Sequence, residues 1–96
     1  MTDGPPPPSG PAGPLLEYPL DYPFKVIGLA AEDFAEHARA LVAAVGVAVP
    51  LERVSVRGSS AGRYLSVTLV VRLSSEGERQ AVYRALGADR RVVYYL

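Results

Sequence analysis

The sequence predicts an α+β fold: a ferredoxin-like βαββαβ two-layer sandwich, with a four-stranded antiparallel sheet of order 4-1-3-2 and two helices on one face. Three observations carry this. From Arg63 to Leu73, Leu65, Val67, Leu69, Val71 and Leu73 alternate with Tyr64, Ser66, Thr68, Val70 and Arg72. That is the period of a strand with one buried and one mixed face. The polar run Gly58-Ser59-Ser60-Ala61-Gly62 just before it reads as the turn of a β-hairpin. Two segments of helical period, one on each side of this hairpin, supply the crossovers, and right-handed crossovers place both helices on the same side of the sheet.

Taken in order, residues 15–23 are apolar but broken by Pro19 and Pro23, which suits an extended lead-in lying on the domain. Phe24 to Leu29 is the first strand, with Phe24, Val26 and Gly28 on one face and Lys25, Ile27 and Leu29 on the other. Glu32 to Val45 is a helix, with Phe34, Ala38, Leu41, Val42 and Val45 in one apolar stripe. Glu32, Asp33 and Glu36 crowd its first turn, where acids complement the helix dipole, and Gly46 ends it. Leu51 to Arg57 is the second strand, with Val54 and Val56 inward. After the third strand, Ser75 and Glu78 form a capping box for a second helix that buries Val82, Tyr83 and Leu86 and is closed by Gly87. Val92 to Leu96 is the last strand, with Val92, Tyr94 and Leu96 expected in the core and Val93 and Tyr95 outward.

Composition bounds the function. The chain has 96 residues and a formal net charge of zero, so no bulk electrostatic drive pulls it to nucleic acid or membrane. The first 14 residues hold six of the nine prolines and three of the nine glycines. Such a stretch cannot offset its ordering entropy and is expected to be a disordered tail, leaving residues 15–96 as one domain. The absence of cysteine removes disulfides, thiolate metal sites and cysteine nucleophiles. With no signal-peptide pattern and no apolar run of membrane length, a soluble cytoplasmic protein is expected.

Lys25-Val26-x-Gly28, the hairpin Ser59-Ser60-x-Gly62-x-Tyr64-x-Ser66, Tyr83-x-x-Leu86 and the short apolar last strand together resemble the YbeD-like family of small bacterial proteins. The resemblance covers Leu15 to Leu96. One departure is Gly58, where family members usually carry proline; it implies a less rigid turn. The resemblance implies a ferredoxin-like sandwich similar to the ACT regulatory domains of metabolic enzymes, which bind small molecules at subunit interfaces. The family has no agreed activity.

The sheet face without helices is the place to look for function. Ser59, Ser60 and Gly62 could offer hydroxyls and amides to an anion, with Arg57 or Arg63 supplying charge, although a hairpin turn uses the same residues for its own closure. Lys25 is a candidate cation on the open face. On the expected register it sits near Val70 and Arg72, with Gly28 near Tyr64 and Ser66, so Lys25 and the serine turn are on the order of 10–15 Å apart. By alternation the face also gathers Arg53, Arg57, Arg72 and Arg91, with Tyr64 and Tyr95 among them. A basic face suits a small anionic metabolite, a protein partner or nucleic acid. Nucleic acid is disfavoured because the central residues Ile27, Ser66 and Thr68 cannot stack bases.

His37, the only histidine, lies off the apolar stripe with no second ligand at metal spacing. No nucleophile–base pair, phosphate loop or dinucleotide fingerprint is present. The expectation is therefore a non-enzymatic regulatory or binding module, without cofactor or metal. It would use the open face and the turn at 58–62, through Lys25, Arg57, Ser59, Ser60, Gly62, Tyr64, Ser66 and Arg72. Exposed apolar groups near Ile27 and Val70 suggest a homodimer. A nucleic-acid-binding plait with a basic sheet face is the alternative.

Overall fold

Alternation in the central strands decides which side of the sheet the helices cover. The structure, a computed structural model, describes residues 16–96; the proline-rich tail expected over residues 1–14 lies outside them. The elements are β1 (Leu20–Leu29), α1 (Phe34–Ala43), a 3₁₀ turn (Leu51–Arg53), β2 (Val54–Gly58), β3 (Tyr64–Leu73), α2 (Glu76–Ala88) and β4 (Val92–Tyr95). The sheet is antiparallel with order β2-β3-β1-β4, the ferredoxin-like arrangement. Phe24 and Val26 of β1 and Val67, Leu69, Val71 and Leu73 of β3 are completely buried against Phe34, Ala38 and Val42 of α1 and Val82 and Leu86 of α2. Each of these Phe, Leu and Val side chains contributes about 1.5–3 kcal/mol by leaving water. Among the described residues no helix is long and apolar enough to span a bilayer.

β1 begins at Leu20, four residues before the expected start, and runs through Pro23. Lys25 exchanges both backbone hydrogen bonds with Leu96, at 3.2 and 2.9 Å, so its amide edge faces β4. Pro23, two residues upstream, turns the edge that lacks an N–H to that same side, where no described strand pairs with it. A proline is tolerated there at no cost in ladder bonds. The lead-in before β1 turns toward the helices, where the Tyr18 hydroxyl donates to Glu76 Oε1 at 2.5 Å. The opposite face of the sheet stays bare among the described residues.

Three local expectations are corrected. Gly87 does not close α2, which continues to Ala88; its lack of a Cβ instead makes room for the Tyr95 hydroxyl. In β4, Ile27 pairs with Tyr94 but Gly28 pairs with Val92, so Val93 is bulged out of the ladder. The extra residue reverses the alternation beyond it. Val92 packs on the core as expected, but Tyr95 turns inward against Tyr83, with ring centroids 5.9 Å apart, and Tyr94 turns outward. The capping box is half made: Ser75 Oγ accepts from the Glu78 amide at 3.2 Å, while the Glu78 carboxylate accepts from Ser74 N–H, not Ser75 N–H.

Candidate functional site

The open face is built from β2 and β3 outward. Hairpin closure fixes their register: Ser59 N–H donates to Tyr64 C=O at 2.9 Å, and pairing then runs Arg57 with Ser66 and Ser55 with Thr68. On β1, Lys25 pairs with Thr68 and Ile27 with Ser66. Gly28 pairs with Leu65, between Tyr64 and Ser66 as expected, but the expectation that Lys25 lies near Val70 and Arg72 is corrected to Thr68. The earlier start of β1 is the reason, since Leu20 rather than Phe24 meets the end of β3 at Leu73.

This register gathers a polar cluster. Lys25, Ser55, Val56, Arg57, Ser66 and Thr68 line a shallow recess of about 340 Å³. Among the described residues neither Lys25 nor Arg57 has a carboxylate within ion-pair distance. Two cations and three hydroxyls converge on one open patch, a donor set suited to an anion. Ser55 and Thr68 were not singled out from the sequence. Alternation along β3 gives Thr68 its face, and the hairpin length gives Ser55 its row.

Other expected site residues are elsewhere. The Ser59 hydroxyl accepts from the Tyr64 amide at 3.2 Å, and Gly62, with φ +75°, donates to Ser59 C=O at 2.9 Å. Ser59 and Gly62 therefore serve the turn. Ser60 is exposed at its tip, and Tyr64 lies opposite Leu29, one row beyond the recess. Arg72 and Arg53 both reach Asp21 at 3.5 Å and border a second hollow of about 310 Å³ with Val70 and Pro50. Two groups leave the open face altogether. Arg91 holds Asp33 at 2.8 and 3.2 Å and lies over the Phe34 ring at 5.7 Å, on the helix side. Tyr95 is on that side too, for the reason of the bulge. The face is thus cationic at one recess and not along its whole length.

A second cluster sits under α2. The Arg79 guanidinium lies 5.3 Å from the Tyr22 ring centre and 5.2 Å from that of Tyr83, and is tied to Glu76 at 2.8 Å. The two tyrosine hydroxyls are 3.1 Å apart. Burial and the Tyr22 hydrogen bond push Tyr83 up to about 12. Burial opposes ionisation of Tyr22 as well, but hydrogen bonds from Tyr83 and Arg79 outweigh it and lower its pKa. The arrangement clasps α2 to β1, and no side of it opens on the recess.

Comparison with known proteins agrees with this fold. Residues 13–96 match the family described as protein of unknown function (DUF493). A UPF0250 protein of Ralstonia nicotianae is 43% identical over 74 residues, covering 77% of this chain and 76% of that protein. A UPF0250 protein of a Janthinobacterium species is 40% identical over 82 residues, covering 85% and 90%. The solution structure of protein HP0495 from H. pylori superposes with a TM-score of 0.71 at 19% identity over 93% of each chain, a likeness of fold. The chain belongs to the DUF493 family, which is also that of the YbeD-like proteins.

Proposed function

We propose that this DUF493 protein is a small non-enzymatic binding module of the cytoplasm whose open sheet face takes a small anionic metabolite. One observation carries the reading. Lys25 stands on β1, which has a neighbour on each side, and its ammonium shares a recess with Arg57 and the hydroxyls of Ser55, Ser66 and Thr68, with no acid among the described residues to neutralise it. Its companions in the motif have structural duties. Val26 is core, and Gly28 leaves space for the Phe34 ring and the Arg91 carbonyl. Lys25 is exposed, and a cation in a ring of hydroxyls is a receptor for carboxylate or phosphate. A ligand held this way, with no nucleophile–base pair beside it, suits a regulatory role like that of ACT domains, in which occupancy is passed to a protein partner.

Nucleic acid is the weaker reading. Asp21 answers Arg53 and Arg72, and Asp33 answers Arg91. The cations left at the recess are too few for the backbone tracking that drives such binding.

Titration of the full chain with inorganic phosphate and with acetate, followed by amide NMR shifts, tests the proposal. Shifts should concentrate at Lys25, Ser55, Arg57, Ser66 and Thr68. Lys25→Gln and Arg57→Gln, both exposed substitutions, should each weaken binding about tenfold while leaving the thermal midpoint within a degree or two. Shifts that spread evenly over the surface, or variants that bind as well as the parent, would overturn it.

A further inference from the structure

The open face is divided along its width. Ile27 lies between Ser66 of β3 and Tyr94 of β4, and Lys25 lies between Thr68 of β3 and Leu96. At these two rows polar groups thus occupy the β2–β3 half. Apolar groups occupy the β1–β4 half, with Lys25 at the seam. Tyr94 and Leu96 are each 55% exposed and Leu29 59%. The bulge at Val93 is what turns Tyr94 to this face. Three large apolar side chains beside one bare recess form a surface that calls for a cover.

We infer that the ligand is an amphipathic organic anion, its charged head over Ser66 and Thr68 between Lys25 and Arg57, and its apolar part lying across Ile27 onto Tyr94. The inference rests on the anion-binding reading given above and adds the chemistry of the rest of the molecule. Charge complementarity fixes the head end. Continuity of the apolar patch fixes the direction of the tail. From β3 to β4 is two strand spacings, about 10 Å, which suits a short alkyl chain or one ring on a short linker. An inorganic anion leaves the apolar half wet, and a neutral hydrocarbon leaves both cations unpaired. One amphipathic molecule satisfies both halves.

The test is an amide NMR titration of the full chain with acetate, butanoate and hexanoate. All three should shift Ser66 and Thr68; the longer two should also shift Ile27 and Tyr94. Partial burial of the tail should tighten Kd about twofold per methylene, roughly fifteenfold over the four methylenes from acetate to hexanoate. Tyr94→Ser, at an exposed position, should flatten the series to within twofold while acetate binds as before. Equal affinity for all three acids overturns this inference and leaves the anion site standing. No shift with any acid or with phosphate removes both. Sedimentation showing a dimer at the titration concentration, dissociated by Tyr94→Asp, assigns the apolar half to a second copy and overturns the inference as well.

Discussion

Gly28 shows how much one missing methyl can decide. A Cβ at this position would run into the Phe34 ring and the Arg91 carbonyl, and neither can move freely, because Phe34 is completely buried and Arg91 is tied to Asp33. Gly28→Ala should therefore destabilise by roughly 2–3 kcal/mol, the cost of overpacking a filled core. Gly58→Ala serves as the control. A Cβ there meets nothing, its φ is not in the left-handed region, and lost freedom in the unfolded chain makes the change neutral or slightly stabilising. Urea unfolding of the two variants checks this; equal midpoints would refute the packing account. Lys25 of the same motif behaves differently. Its exposed place was legible by alternation alone, but its neighbours were not, because they depend on where β1 begins, and Pro23 disguised four residues of strand as lead-in. A proline reads as a strand breaker until it is known which side of the strand its nitrogen faces.

The hairpin between β2 and β3 separates a turn from a binding loop. Ser59 spends its hydroxyl on the Tyr64 amide and its carbonyl on Gly62, whose φ of +75° disfavours any side chain. Ser59→Ala should cost about 0.5–1.5 kcal/mol, the net value of a hydrogen bond, and Gly62→Ala about 1–2 kcal/mol from backbone strain. Neither should change phosphate affinity by more than twofold, since the recess begins one row farther along β3. A tenfold loss of binding in Ser59→Ala would return the turn to the site. The elements were legible from the sequence wherever the period ran unbroken, as in β3 and across the Phe34, Ala38 and Val42 stripe of α1. They were misjudged where a local irregularity carried no compositional mark. Nothing in Val92-Val93-Tyr94-Tyr95 announces that one valine is bulged, because all four residues suit either face of a strand. Gly87 looked like a helix stop and proved to be a point of close approach, which only the position of Tyr95 reveals.

At the scale of the whole molecule the two sides of the sheet are held by different forces. The open side carries cations without carboxylates in ion-pair distance at its recess, and the helix side is laced by polar side-chain contacts that join elements distant in sequence. His37 of α1 meets Asp89 at the end of α2 at 2.9 Å, and Arg91 at the start of β4 meets Asp33 at the start of α1. The carboxyls on this side share one direction. The Arg91 hydrogen bonds hold Asp33 low, Arg39 does the same for Glu36, and Tyr18 and Gln80 for Glu76. Burial alone would raise Asp89, but the His37 contact and the amides of Arg91 and Val92 outweigh it and hold it low. A carboxyl depressed in the folded state stabilises above its unfolded pKa, and that stability is lost as pH falls through the folded value. Acid should therefore unlace the helix side first, in the window below about pH 4, where ordinary carboxyls begin to protonate. Asp89→Asn keeps the shape of the side chain and removes its share of this dependence. At pH 5 it should be about 1–2 kcal/mol less stable than the parent, the scale of a hydrogen bond to a charged group on a side chain still partly in water. The gap should close as pH is lowered toward 2, because the parent then loses the same interaction. Urea midpoints for both proteins between pH 5 and pH 2.5 measure it, and a gap that stays constant across that range would show that Asp89 stabilises through packing and not through its charge.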